Sequence, residues 1–310
     1  MELPPFSPVS PQALAISHLF VVTILIALAV FALVTVWLVV NLVRFRQRPG
    51  EGEPEQQYGN KKLEITWTIA PAVILAVLFV FSVRAMAAAD PSPPGNQQPD
   101  IIVVGHQWWW EVRYPATGAV TANEIHLPVG KRLYVRLESA DVIHSLWLPR
   151  LSRKMDLVPG QVNHVTLEAD TPGVYLGNCA EYCGTQHAWM LIRAIAEPPE
   201  QFDAWQRAQL QPAPAATGGD AEAGAKLFQH STCVNCHAVG GTVAQARVGP
   251  DLTHVAGRQT LAGGVLDNSP DAMATWLRDP QKVKPGNHMP NFRLGEGDVR
   301  SLTAYMETLR

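Results

Sequence analysis

Between Cys179 and Met190 the chain reads C-A-E-Y-C-G-T-Q-H-A-W-M, which puts two thiols, an imidazole and a thioether on one short stretch. Thiolate, imidazole and thioether together suit copper, and a mononuclear blue-copper site uses one Cys, two His and a weak axial Met. Here there is a second thiol, Cys183, and a thiolate has lone pairs enough to bridge two metal ions. The economical reading is a binuclear copper centre in which each copper has its own terminal imidazole. His187 supplies one. The other must come from upstream, and His144 in D-V-I-H-S-L-W-L-P is the candidate, because an apolar, strand-like context would hold its ring rigidly. A disulfide or half of a zinc site would also use this Cys spacing. Met190 weighs against zinc, which rarely recruits a thioether.

A second constellation lies near the carboxyl end. Cys233-Val-Asn-Cys236-His237 is the covalent c-type haem signature, with two thioether bonds to the macrocycle and His237 on the iron. A Met opposite the His raises the potential and suits electron transfer. Met273 and Met306 fall in helical runs and read as core. Met289, in the Pro-braced K-P-G-N-H-M-P, can present its sulfur to the haem, with His288 beside it as a rival ligand. All four cysteines are then used, two on copper and two on haem, and no disulfide is expected.

The elements that must position these groups follow from the hydrophobic pattern. The chain has 310 residues, 47% hydrophobic and 16% charged, more apolar than a soluble protein of this size needs. Two membrane spans are expected, at about 19–43 and about 65–89, each able to cross a hydrocarbon core of roughly 30 Å. Residues 1–18 hold no Lys or Arg, whereas the connecting loop carries Arg44, Arg46, Arg48, Lys61 and Lys62. That asymmetry puts the loop in the cytoplasm and both termini outside. A cleaved signal peptide fits the first segment poorly, since it lacks a basic n-region. The Pro-rich run from Asp90 to Asp100 breaks the chain before a series of short apolar runs separated by turn signals. These are I-I-V-V, K-R-L-Y-V-R-L, V-I-H-S-L-W-L, Q-V-N-H-V-T-L, P-G-V-Y-L and M-L-I-R-A-I-A, which read as strands of an all-β sandwich or barrel. His106, His126 and His164 lack partner motifs and read as structural, and Trp109 and Trp110 as packing. P-P-E-Q-F-D-A-W-Q-R-A-Q-L is a helix with Pro at its start, followed by a flexible tether.

At these residues the chain resembles the CuA domain of subunit II of haem-copper cytochrome c oxidases, over about residues 18–197. The matching positions are His144, Cys179, Glu181, Cys183, His187 and Met190. The resemblance implies that Glu181 binds copper through its backbone carbonyl, and that its side chain reaches a magnesium ion shared with subunit I. It also implies that Trp108, in G-H-Q-W, is where electrons come in, and that Glu64, in L-E-I-T-W-T-I-A-P, stands at the mouth of a proton pathway. The last ninety or so residues resemble a class I cytochrome c domain. There Arg258 would neighbour a haem propionate and Trp276 would pack on the Met side of the haem. The expected fold is therefore membrane-anchored and multidomain. It comprises an amino-terminal segment and transmembrane hairpin over 1–98, an all-β cupredoxin barrel over 99–197, a helix and linker over 198–217, and an all-α cytochrome c domain over 218–310.

The expected function is that of the electron-transfer subunit of a caa-type oxidase in a bacterial inner membrane, with both cofactor domains periplasmic. Electrons would pass from soluble cytochrome c or a similar donor to haem c, to CuA, and to subunit I, where dioxygen is reduced with proton pumping. Subunit I, and with it subunit III and the lipid membrane, are the implied partners, and no nucleic acid. The chain itself lacks the ligands that oxygen reduction needs. A CuA-containing nitric oxide reductase subunit and a copper-delivery protein are the rival readings. One departure from the family concerns donor docking: the acidic patch around the input Trp is thin, with Glu111 answered by Arg113 and Asp156 left over.

Overall fold

In a computed structural model the described residues are 6–50, 52–53, 55–91 and 97–310. Residues 92–96, most of the Pro-rich break, lie outside them. Two long helices come first, α1 (Pro11–Arg44) and α2 (Lys61–Ala89), and they pack against each other. Their apolar side chains point outward all round, with Phe31 69%, Leu33 72% and Phe79 68% exposed. A helix apolar on every face, with nothing in the protein covering it, is stable only in lipid.

Both helices start earlier than the hydropathy pattern implied. Ser10 caps α1 by accepting the Ala13 N–H at 3.0 Å and donates to the Leu151 carbonyl at 2.5 Å. The first turns of α1 thus pack on the β domain, burying Gln12, Ala13 and Ser17. Asn60 caps α2 through the Lys62 and Leu63 N–H groups, while Glu64 accepts the Asn60 N–H at 3.3 Å. The amino-terminal residues also bond to the β domain directly: Val9 N–H donates to Arg150 O at 3.0 Å and Asp170 N–H donates to Val9 O at 2.9 Å. The start of the chain and the β domain therefore lie on the same side of the hairpin.

The β domain holds two five-stranded sheets. One has the order β3 (Ala119–Ala122), β2 (Trp109–Tyr114), β1 (Ile101–His106), β5 (Leu133–Ser139), β8 (Asn163–Leu167). The other runs β4 (Glu124–Pro128), β10 (Leu191–Glu197), β9 (Gly173–Cys179), β6 (His144–Trp147), β7 (Met155–Leu157). Pairings are antiparallel except β1 with β5 and β4 with β10, and this is a cupredoxin-like sandwich. Alternation along β5 turns Leu133, Val135 and Leu137 inward, where they meet Trp110, Leu146, Leu157 and Ile192 in one core. All six runs expected as strands are strands. β2, β3, β4 and β7 were not read, because the Trp run hides the alternation of β2, β4 is buried at every residue and so does not alternate, and β3 and β7 are short.

Helix α3 (Pro199–Gln209) returns to the β domain, laying Trp205 flat on His126 with centroids 3.9 Å apart. The remaining chain is a helical domain with α4 (Gly219–His230), α5 (Pro270–Arg278), the short α6 (Pro280–Val283) and α7 (Glu296–Thr308), plus a small ribbon of β11 (Thr260–Leu261) and β12 (Leu266–Asp267). α4 crosses α7 at Gly224, where a Cβ would lie 1.9 Å from the Ser301 carbonyl oxygen, and Phe228 meets Tyr305 one turn on. Because the obstacle is backbone, no rotamer change can relieve it. Replacing Gly224 by Ala should cost at least about 1–3 kcal/mol of overpacking, and a lowered unfolding midpoint of the helical domain in thermal denaturation checks this.

Candidate metal and haem centres

At one end of the sandwich, β6 and the loop between β9 and β10 bring the sequence-predicted copper ligands together. His144 starts β6 and Cys179 ends β9, and these antiparallel neighbours are in register, with Leu146 opposite Cys179. The Sγ atoms of Cys179 and Cys183 lie 3.8 Å apart. His144 Nδ1 is 3.9 Å from Cys179 Sγ, and His187 Nδ1 is 3.6 Å from Cys183 Sγ. Met190 Sδ, fully buried, is 3.9 Å from Cys183 Sγ. Each sulfur thus has its own imidazole, and the Glu181 carbonyl faces the cluster 3.3 Å from Cys179 Sγ. The Glu181 carboxylate turns outward, 3.9 Å from Lys154 Nζ.

The electrostatics fit a cation between the sulfurs. The Cys183 sulfur beside it pulls the Cys179 thiol well below its ordinary value, against the opposing effect of burial. The same charge on Cys179, together with burial, pushes Cys183 strongly up. Two thiolates this close repel each other, so holding both requires positive charge at the same point, which a bound metal would supply.

Two residues that sequence reasoning missed complete the site. Asp141 Oδ1 lies 2.8 Å from His144 Nε2, so it fixes the ring with Nδ1 aimed at Cys179. It also accepts the Gln107 N–H at 2.7 Å. The signal available was a carboxylate three residues before a candidate ligand. Gly105 makes room for the same ring, since a Cβ there would sit 2.8 Å from His144 Cδ2.

The second site is a cavity in the helical domain lined by Cys233, Cys236, His237, Arg258, Trp276 and Met289. His237 Nδ1 bonds the Pro250 carbonyl at 2.8 Å, which leaves Nε2 as the free ring nitrogen. A Cβ at Gly249 would come within 2.6 Å of the ring, so only glycine lets the backbone pass here. Arg258 is 8% exposed, so it is no solvated surface charge. Its Nη2 donates to the Asp251 carbonyl, yet its Nε is buried with no protein partner. An orphaned guanidinium N–H in an apolar pocket fits an anionic group such as a haem propionate. Met273 and Met306 are both in the helical core, whereas Met289 sits on the loop after α6, its carbonyl tied to Gln281 Nε2 at 2.7 Å.

The two sites share a wall. Trp108 donates its indole N–H to the Cys183 carbonyl at 2.9 Å, and Gln107, Trp108 and Trp109 line the second cavity from the β side. The helical domain is docked on this face by several bonds. Glu124 Oε1 accepts the N–H groups of Gln259 and Thr260 at 2.6 and 3.1 Å, and Leu191 N–H donates to Gly263 O at 2.9 Å. Lys284 Nζ, buried, donates to the carbonyls of Trp108 and Ala262 at 3.0 and 3.3 Å. The other expected structural residues have partners: His106 stacks on Trp109 and binds Glu111 at 3.2 Å, His126 binds Glu197 at 3.1 Å, and Trp110 is in the core.

This arrangement defines a class: a membrane-anchored electron-transfer protein with a Cys, His and Met metal site in a cupredoxin-like sandwich and a c-type haem domain seated against it. Comparison with known proteins agrees along the whole chain. Residues 6–85 match the transmembrane domain of cytochrome c oxidase subunit II, residues 119–196 its periplasmic domain, and residues 221–310 the cytochrome c family. Cytochrome c oxidase subunit 2 of Alkalihalophilus pseudofirmus is 38% identical over 315 residues, covering 100% of this chain and 91% of that relative. The corresponding protein of Bacillus sp. (strain PS3) is 35% identical over 286 residues, covering 86% of this chain and 80% of that one. Among solved structures, the periplasmic domain of subunit II of cytochrome oxidase (CoxB) of Bradyrhizobium japonicum is 30% identical, covers 36% of this chain and 95% of that chain, and has a TM-score of 0.35. The chain belongs to the cytochrome c oxidase subunit II family, with a cytochrome c domain at its carboxyl end.

Two predictions follow from this geometry. Asp141→Asn weakens the hold on the His144 tautomer and should lower copper affinity by about 10- to 100-fold, read as faster copper loss to a chelator. The second concerns Glu111, which burial alone would raise but which bonds from His106 and Arg113 hold down at about 2. Its unfolded value is near 4.5, so its stabilisation is complete above that pH and is lost as pH falls toward 2. Glu111→Gln should flatten the dependence of the unfolding midpoint on pH between about 2 and 4.5.

Proposed function

We propose that this chain relays single electrons from a diffusing donor such as soluble cytochrome c, through haem c held by Cys233, Cys236, His237 and Met289, to a binuclear CuA centre. CuA would be held by His144, Cys179, Cys183, His187, Met190 and the Glu181 carbonyl. From there electrons pass to the haems of subunit I, where dioxygen is reduced to water with proton pumping. The observation that carries the reading is Trp108, which lines the cavity that holds Cys233, Cys236 and His237 while its indole N–H bonds the carbonyl of Cys183. Two coppers sharing one electron change each Cu–S bond little, and the sandwich limits what change remains, so transfer needs little driving force.

The same reading assigns sides and partners. The basic loop between the spans is cytoplasmic. The β and helical domains are then periplasmic in a bacterial inner membrane, facing the compartment where haem is attached. Subunit I and subunit III are the membrane partners. The exposed Glu181 carboxylate is available to a magnesium ion at the contact with subunit I. Glu64, at the cytoplasmic start of α2, is at the position of a proton-path mouth, although within this chain its carboxylate also ties down the helix start.

Donor docking has moved from the copper domain to the cytochrome domain. Glu111 is 4% exposed and paired to Arg113 at 2.7 Å, so it offers no charge to a basic donor. The face around Trp108 is covered by residues 259–264 and 284–288 of the same chain. Metal analysis and electron paramagnetic resonance of the oxidised, fully loaded chain test the relay. The expected result is about two coppers per haem with one unpaired electron delocalised over both. About one copper per haem with a mononuclear spectrum would overturn the binuclear reading.

A further inference from the structure

The loop that presents Met289 also carries the residues that touch Trp108. The His288 ring lies against the Trp108 indole with centroids 4.8 Å apart and planes 54° apart, while Lys284 Nζ bonds the Trp108 carbonyl at 3.0 Å. On its far side Trp108 is bonded to the Cys183 carbonyl at 2.9 Å. Covalent bonds join Met289 to His288, one van der Waals contact joins His288 to Trp108, and one hydrogen bond joins Trp108 to Cys183. The proposed copper and iron ligands are thereby connected through side chains of this chain, with a single through-space gap.

We propose that His288 is the contact through which electrons cross from the haem-bearing loop to Trp108, and that Lys284 is the positioning residue that holds Trp108 against it. The inference rests on the relay reading. In the step, one electron leaves the ferrous c-type haem, which becomes ferric, and reduces the oxidised copper pair by one unit. His288 bridges without being oxidised, and no proton moves. This role also accounts for a histidine beside the Met that does not need to bind iron: its ring is occupied with the indole.

Lys284 suits the positioning role because of what surrounds it. It is 3% exposed, and its hydrogen-bond acceptors are the two backbone carbonyls of Trp108 and Ala262, one from each domain. A buried ammonium without a carboxylate is costly, and the bonds to the Trp108 and Ala262 carbonyls are what offset that cost here. Gln186 Nε2 donates to the Pro285 carbonyl nearby, which pins the start of the same loop to the copper-binding loop.

The test is flash photoreduction of the haem in the full chain loaded with copper and haem, following reduction of the copper band. His288→Ala should slow haem-to-copper transfer by about tenfold or more, equivalent to about 1.4 kcal/mol or more on the barrier. His288→Phe, which keeps a ring, should recover most of the parent rate. Two readouts should stay at parent values in both variants: the sulfur-to-iron charge-transfer band that reports Met289 on the haem, and hydrogen exchange at the Gln259 and Thr260 amides, which reports docking. A parent rate in His288→Ala, or a Phe variant as slow as Ala, overturns the bridge. Faster amide exchange in His288→Ala overturns it as well, because the residue would then be holding the domains together. Absence of haem-to-copper transfer in the parent chain would instead sink the relay reading itself.

Discussion

Two buried sulfurs 3.8 Å apart are the constraint on which the rest of the structure depends. Like charges at that separation cannot both persist in a low-dielectric interior, so the pair either shares a proton or shares cations. Around it the protein has arranged neutral or charge-orienting partners: two imidazoles, one buried thioether and a carbonyl. Asp141 stands one step further out, holding His144 from behind. The cupredoxin-like sandwich supplies the stiffness. His144 and Cys179 sit on adjacent hydrogen-bonded strands, so their separation is set by the sheet and not by the loop. The segment 180–190 between β9 and β10 lies outside the sheet, with a single helical turn at His187–Trp189, and it is tied by Cys179 N–H to Met190 O and by Trp108 Nε1 to Cys183 O.

The second organising fact is that the copper end of the sandwich is not left open. Glu124 lies in β4 and is 1% exposed, yet it accepts two N–H groups from the cytochrome domain. A buried carboxylate without partners would be costly, and these bonds satisfy it only when the helical domain is in place. Lys284 makes the reciprocal connection, a buried ammonium satisfied by a carbonyl of the β domain. Each domain thus contributes a charged group whose burial is offset by the other. Fusion in one chain then keeps the partner at high local concentration, which fits a surface whose acidic residues, such as Glu111, are already paired internally.

Much of this was legible residue by residue. The cysteine spacing, His187 and Met190 carry the copper chemistry in one stretch, and C-V-N-C-H carries the haem attachment in another. The spans showed as apolar runs, although not their full length, because the first turns of α1 interleave Gln12, Ser17 and His18 with apolar residues and bury Gln12, Ala13 and Ser17 against protein. Strands with clean alternation were readable, whereas β2 was masked by consecutive tryptophans and β7 is too short to display a period. Among the ligands, His144 could be nominated only from its apolar context. Asp141 left only a weak signal, a carboxylate three residues before a candidate ligand, and Gly105 gains its role from the His144 ring that folds against it.

The sequence by itself determined which chemistry this protein can host, because ligand type and local spacing are covalent facts that need no fold to be read. It also determined the membrane anchor, since transfer of a long apolar run into lipid depends on composition alone. What only the tertiary structure decided is adjacency between segments far apart in the chain. His144 meets Cys179 through strand pairing, Glu124 meets Gln259 through domain docking, and Trp108 is caught between Cys183 and His288. Contacts of that range depend on register and packing summed over the whole molecule. The proposed path between the two sites depends on two such contacts, His288 with Trp108 and Trp108 with Cys183.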